Sequence, residues 1–358
     1  MPYYKKSLSL SYFIHERCFY MKFTKKSVVT LLVTILIVYV LALYKLPYYI
    51  YKPGGADALD PVVSVEGGYK SKGDMHLVTV SGGQATPVSF VLAKMLPYYE
   101  VQPIENVIPE HISEKEYMDA QLHMMESSQE AATVVAYEAA NADIDIKYDG
   151  VYVVSVVKGM PAEGKLKAGD EIKQVDSKKI NNSDDLLDYV KKKKSGDKIK
   201  VHFERENKQK SVHVTLQEFE ELNDKIGIGI QLVTNRDVHV KPKVHFESGD
   251  IGGPSAGLMF ALKIYDELKE EDLTHGKQII GTGEIDYEGN VLPIGGIDKK
   301  VVAADKEGGD IFFAPNENGT KGSNYEIAKK TADDIGTDMK IVPVDTFKEA
   351  LDYLEKEM

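Results

Sequence analysis

Residues 28–44 read VVTLLVTILIVYVLALY and contain no charged side chain. Few features constrain a chain more, because such a run is stable only in a packed core or in lipid. Its length reaches the lower limit for a membrane-spanning helix, and Leu46 to Tyr51 extend the apolar zone. Lys5, Lys6, Arg17, Lys22, Lys25 and Lys26 precede it, whereas only Lys45 and Lys52 follow closely. The positive-inside bias then puts residues 1–27 in the cytoplasm, a transmembrane helix at 28–48 and the remainder outside the cell membrane, as a single-pass protein. Tyr48, Tyr49 and Tyr51 suit the outer headgroup level. The competing reading is a cleaved signal peptide, with Val40 and Ala42 as its −3 and −1 residues. The unbroken apolar run past that point favours the anchor. Met21 opens MKFTKKSVV, itself a membrane-targeting start, and initiation there would omit Cys18.

The 358 residues are enough for two domains behind this segment. The net charge of −12 argues against a nucleic-acid partner. The basic run Lys191–Lys194 reads as a solvated turn. Cys18 is the only cysteine, which excludes an internal disulfide and a cysteine-based metal site. No metal or cofactor is called for.

KPGGADALDP (52–61) reads as a linker. Residues 62–145 form an N-terminal region with a strand at 76–81 and a short helix at 87–96. A long helix spans about 114–141, opened by a Ser113/Glu116 capping box. Met118, Leu122, Met125 and Ala132 recur on it at packing spacing. From 146 to 217 the order is strand, small-residue turn, short helix, strand, helix, strand, strand. GMPAEGKLKAGDEI followed by KKINNSDDLLDYV within this stretch resembles a PDZ domain. The resemblance implies binding of an extended peptide by strand addition. The expected site is Gly150, Val151, Tyr152 and Val153, with a groove toward a helix at 183–191. From about 225 strands and helices alternate: KIGIGIQLV, DVHVKPKVHF, an amphipathic helix at 258–268, and further pairs to 357. This predicts an α/β domain over 225–350.

In the segment IGGPSAGLMF, Ser255 reads either as a helix start or as a nucleophile. A nucleophile needs a base. His239, His245 and His275 are available, yet no motif puts them beside Ser255. Lysine is the alternative, since burial lowers its pKa. On a helix starting at Ile297 the apolar stripe is Ile297, Val301 and Ala304. At about 100° per residue, Lys300 lies about 60° from Ile297, and Lys299 about 160° away, toward solvent.

Taken together, GGPSAGL, GTGEI and V.PIGGI..K...A...G resemble the proteolytic domain of the Lon family, peptidase family S16. With the PDZ-like module and the apolar segment, the chain is similar to membrane-anchored, PDZ-containing Lon-like serine proteases of Gram-positive bacteria. The resemblance implies an α/β proteolytic fold in which Ser255 and Lys300 form a catalytic dyad and Thr282 holds the lysine. It further implies a PDZ module that precedes or interrupts that fold, and a homo-oligomer. Gly252 stands where many ATP-dependent relatives have aspartate, and no G-x-x-x-x-G-K-[ST] motif occurs. The expected activity is ATP-independent endopeptidase cleavage of unfolded proteins or small secreted peptides outside the membrane. The rivals are an anchored scaffold whose protease-like domain only binds partners, and self-cleavage alone.

Overall fold

The computed structural model describes residues 24–108, 113–219 and 225–356. The chain divides into two compact units, one containing residues 24–51 and 82–108 and the other 52–81 and 113–356. The expected cytoplasmic segment 1–27, with Cys18 and Met21, lies almost wholly outside the described residues.

In the first unit the apolar segment is a helix, Lys25–Leu43, capped by Thr24, with none of its side chains buried by protein. The Thr30 and Thr34 hydroxyls donate to carbonyls four residues back, Lys26 O at 3.0 Å and Thr30 O at 2.9 Å, so they add no unsatisfied donor to an apolar surface. The helix ends five residues short of the expected limit at 48. Tyr48 starts a strand instead, and Tyr48–Tyr51 pair antiparallel with Glu100–Pro103. Tyr49 and Ile50 are buried in protein rather than placed at a headgroup interface. The helix Pro87–Met95 has a reciprocal capping box between Thr86 and Ser89. Its Ala93 joins Ile50 and Ala85 in a small core completed by Tyr48, Phe90 and Val101.

The second unit corrects the linker. Residues 52–58 continue as strand. A Cβ on Gly54 would lie 2.5 Å from the Thr79 carbonyl oxygen, and Gly55 N donates to Thr79 Oγ1 at 3.0 Å. These glycines serve close strand approach, not flexibility. The sheet runs Lys340–Val344, Ile311–Pro315, Gln278–Gly281, then the strands at 74–81 and 52–58. Its first four members are parallel, with helices Ile297–Glu307 and Asn324–Ile335 as crossovers. Side chains alternate between two cores. Met75, Ile279 and Phe313 pack toward Glu114–Ala140, Gly257–Leu268 and Phe347–Lys356, whereas Val78, Ile280 and Phe312 pack toward the two crossover helices. The helix Gly257–Leu268 is buried from Gly257 to Asp266 on every face, not amphipathic as expected.

The Ser113/Glu116 capping box opens Glu114–Ala140, closed by Asn141 at φ 51°. Of the expected packing positions Met125 and Ala132 are buried, while Met118 is exposed.

Residues on both sides of 143–241 build the large core, and that interval has a core of its own, including Val151, Ile172, Ile199 and Val214. The PDZ-like module therefore interrupts the α/β fold. Its sheet order is Ile230–Lys241, Asp143–Val156, Glu171–Val175, Lys198–Arg205, Lys208–Thr215. Where a short helix is expected between Asp143–Val156 and Glu171–Val175, the structure has only turns. The expected boundaries of 146–217 and 225–350 cut this sheet. Ile230–Lys241 is one long strand paired with Asp143–Val156, so residues 230–241 belong with the insert as much as with the proteolytic domain.

Candidate active site

Ser255 sits in a turn, two residues ahead of the helix Gly257–Leu268, whose N-cap is Ala256. It does not itself begin the helix. The turn is clamped by the long helix Glu114–Ala140: Gly253 N donates to Gln121 O at 2.8 Å, and Ser128 Oγ donates to Pro254 O at 2.8 Å. Glycine is required sterically. A Cβ on Gly252 would lie 2.8 Å from Gln121 Cβ, and one on Gly257 would lie 2.6 Å from Ser128 Oγ and 2.7 Å from Ile285 Cγ2. An acidic side chain at position 252, as in many ATP-dependent relatives, has no room here. From the other side, Gly283 N and Thr282 Oγ1 both donate to Ser255 O at 2.9 Å.

Lys300 comes from the helix Ile297–Glu307, which starts after Gly296 at φ 68°. Only 3% of Lys300 is exposed. Its Nζ donates to Ser255 Oγ at 2.6 Å and to Thr282 Oγ1 at 2.9 Å. Burial alone pulls the amine down to about 7. Thr282 is fully buried, accepts from the amine and gives its single hydroxyl proton to Ser255 O. One threonine thus ties the lysine to the backbone of the serine turn. Periodicity puts Lys299 toward solvent, but the structure buries it at 4% exposure beside Asp298, with Nζ 3.2 Å from the carboxylate. The aliphatic stem is packed while the charge is paired, which a helical wheel does not show.

Among the described residues no histidine joins this group. His239 contacts Asp237, His245 contacts Glu66, and both are exposed. His275 has φ 49° in a turn. Among the described residues no cluster of three or more His, Cys, Asp or Glu is placed to hold a metal ion. A cavity of about 760 Å³ between the long helix and residues 238–246, lined by Glu130, Asp143, His239 and Lys241 among others, includes neither Ser255 nor Lys300.

Residues 205–356 match the family model of the Lon protease (S16) C-terminal proteolytic domain, and residues 122–216 that of the PDZ domain. The chain carries a Lon-type proteolytic domain and a PDZ domain. The Lon protease of Mesomycoplasma hyopneumoniae is 32% identical over 150 residues, which are 41% of this chain and 16% of that protein. That of Desulforamulus reducens is 34% identical over 117 residues, 32% of this chain and 12% of that protein. The chain thus matches only a small part of the length of these curated relatives. Among solved structures, the PDZ domain of an SdrC-like protein from Listeria monocytogenes is 36% identical, covering 25% of this chain and 93% of that one, at a TM-score of 0.24.

The expected peptide site on the PDZ domain needs correction. Val151 and Tyr152 pair with Thr234 and Val233 on one side and with Ile172 and Glu171 on the other. Val153 pairs with Leu232, and its N–H donates to Asp170 O; Gly150 N donates to Asn181 O. Gly150–Val153 therefore has both edges occupied and no place for an added strand. Ile230–Lys241 and Lys208–Thr215 are the two edges of the sheet, and the first has Asp143–Val156 as its only strand partner among the described residues. This edge, not 150–153, neighbours the helix Ser183–Lys191: Ser183 N and Oγ bond Thr234 Oγ1 at 3.0 and 2.9 Å. Leu187, one turn on from Ser183, is 46% exposed on that face. Gly229 (φ 81°) heads the strand, and its backbone comes so near Met160 that a Cβ would lie 2.2 Å from Met160 Cβ. The available signal is IGIG directly before IQLV, glycines alternating ahead of a strand-forming run. It lies C-terminal to the expected module, beyond the local pattern that defines it.

Proposed function

We propose that this protein is a membrane-anchored, ATP-independent serine endopeptidase that works with a Ser255–Lys300 dyad. The observation that carries the reading is the 2.6 Å contact between a fully buried lysine amine and the serine hydroxyl. An amine pulled down to about 7 is substantially neutral at neutral pH and can accept a proton. Lys300 takes the Ser255 proton as Oγ attacks a peptide carbonyl carbon. The carbonyl π pair becomes an oxyanion. The backbone N–H groups of Ser255 and Ala256, which have no backbone acceptor among the described residues, lie at the start of a helix and are its natural donors. Collapse breaks the C–N bond, Lys300 returns the proton to the leaving amine, and water then cleaves the acyl-enzyme by the same route. Thr282 keeps Nζ aimed at Oγ.

Substrate is held as an added strand on the open edge at residues 230–234, against Ser183–Lys191, in place of the expected 150–153. Peptides and unfolded segments satisfy this geometry because their backbone groups are free. The helix Lys25–Leu43 is long and apolar enough to cross a membrane, and the charge bias puts the catalytic domain outside.

The test is hydrolysis of an unstructured protein and a short peptide by the full chain in vesicles, compared with Ser255→Ala and Lys300→Ala. Both substitutions abolish cleavage. Equal residual hydrolysis in all three sinks the dyad and favours the binding-scaffold reading.

A further inference from the structure

The helix Pro87–Met95 is amphipathic the wrong way round for a helix surrounded by water. Phe90 and Ala93 point into the small core with Ile50 and Ala85. Val88, Val91, Leu92 and Met95 point outward, at 45%, 58%, 49% and 76% exposure, and Leu96 adds 43%. Positions i, i+3, i+4 and i+7 form one stripe, and at about 100° per residue it lies opposite Phe90 and Ala93. Among the described residues of this unit, nothing else covers it. Lys94, whose Nζ lies 5.8 Å from the Phe90 ring centroid, sits on the flank between the two faces.

Where this stripe sits gives it an occupant. The helix Lys25–Leu43 ends just before Leu46, whose N–H donates to Ala85 O at 2.8 Å and whose carbonyl accepts from Gln84 Nε2 at 3.0 Å. Thr86, the next residue, caps Pro87–Met95. The two helices also touch within the unit. The inverted helix therefore begins at the point where the apolar segment leaves the bilayer. We infer that Pro87–Met95 is an interfacial helix, lying on the outer leaflet with Val88, Val91, Leu92 and Met95 among the upper acyl carbons and Lys94 reaching lipid phosphate. The inference rests on the anchored reading above. A nine-residue helix has too small a stripe to hold a free protein on a membrane. Here the span supplies the attachment, so the stripe acts at high effective concentration. Its consequence is a second fixed point that restricts rotation of the unit about the span.

The chain contains no tryptophan, so one introduced indole reports alone. Full-length Leu92→Trp and Val91→Trp are reconstituted in phosphatidylcholine–phosphatidylglycerol vesicles with or without brominated acyl chains. Leu36→Trp in the span and Ile327→Trp, exposed on the other unit, are the references. The expected result is blue-shifted emission, and its loss in brominated vesicles, for both positions 91 and 92, with Leu36→Trp also quenched and Ile327→Trp unaffected. Quenching at position 36 with none at 91 and 92 overturns the interfacial helix and leaves the anchor standing. A blue shift at 91 and 92 without bromine quenching also overturns it, in favour of a second copy of the chain covering the stripe. No quenching at position 36 removes the anchor, and the inference with it.

Discussion

The Lon-type core and the PDZ insert are built from similar strands and helices, but they differ in what lies beside their secondary-structure elements. In the core, the helix behind Ser255 is buried on all faces, and even its charges are satisfied inside: Lys263 pairs with Asp60 at 2.6 Å and Glu267 at 3.1 Å. Glu267 also accepts from Val65 N at 2.6 Å, tying residues 60–65 to that helix. The insert packs one compact core, and its edge strand Ile230–Lys241 runs beside the helix Ser183–Lys191, on which Leu187 is exposed. Catalysis needs atoms fixed to fractions of an ångström. Strand addition needs unsatisfied backbone groups, which only an open edge supplies. In the proposed function these demands are met in separate places, joined through Ile230–Lys241. Arg236, at a bulge in that strand, stacks 3.5 Å from the Tyr287 ring centroid, and Tyr287 donates to Glu130 at 2.6 Å.

Substitutions in the core should therefore change the chemical step, and those in the insert should change substrate capture. The largest effect is expected from Ser255→Ala, which lowers kcat on the order of 10³-fold or more on short and long substrates alike, with the fold retained. Lys300→Met has a similar effect on kcat and raises Tm, because it removes an amine whose protonation burial opposes in the folded state. A fall in Tm would show the amine to be structural.

The pH profile has its origin in the same burial. The folded-state pKa of about 7 lies below the ordinary 10.5, so kcat/KM rises about tenfold per unit up to pH 7 and levels off above. The unfolded chain binds the extra proton between about 7 and 10.5, so wild-type stability increases with pH across that window, and Lys300→Met loses this dependence. Steady-state rates and denaturant melts from about pH 5 to 9 check both. A rate flat through 7 would mean the amine is not the base.

Next in size is Gly257→Ala, which overpacks against Ser128 and Ile285 and is expected to cost about 1–3 kcal/mol as well as activity, measured by thermal unfolding and hydrolysis. Thr282→Val should lower kcat by about 10- to 100-fold at nearly constant KM, with Thr282→Ser recovering most of it. The smallest effect is in the insert. Leu187→Asp should raise KM for an unfolded protein severalfold and leave short-peptide hydrolysis and Tm unchanged. Equal losses on both substrates would erase the division of labour between core and insert.

Much of this was legible in the sequence. The capping box at Ser113, the helix after Pro293-Ile294-Gly295-Gly296 and most strands follow from local pattern. Serine, threonine and lysine are picked out by three motifs in order. The misreadings share one cause. KPGGADA looks like a linker because glycine is ambiguous locally; the approach of Thr79 is what requires it at position 54. Gly150–Val153 is the peptide site that the PDZ resemblance implies, yet partners on both sides occupy it.

By itself, then, the sequence determined the elements, the apolar segment and the residue types available for chemistry, because these depend on neighbours within a few turns or strand steps. Tertiary structure alone decided which strand edge stays open, that Lys299 as well as Lys300 is buried, and that the Lys300 amine is drawn down to about 7. Edges, burial and pKa values are set by what packs against a residue from elsewhere in the chain, and that partner is absent from any local stretch.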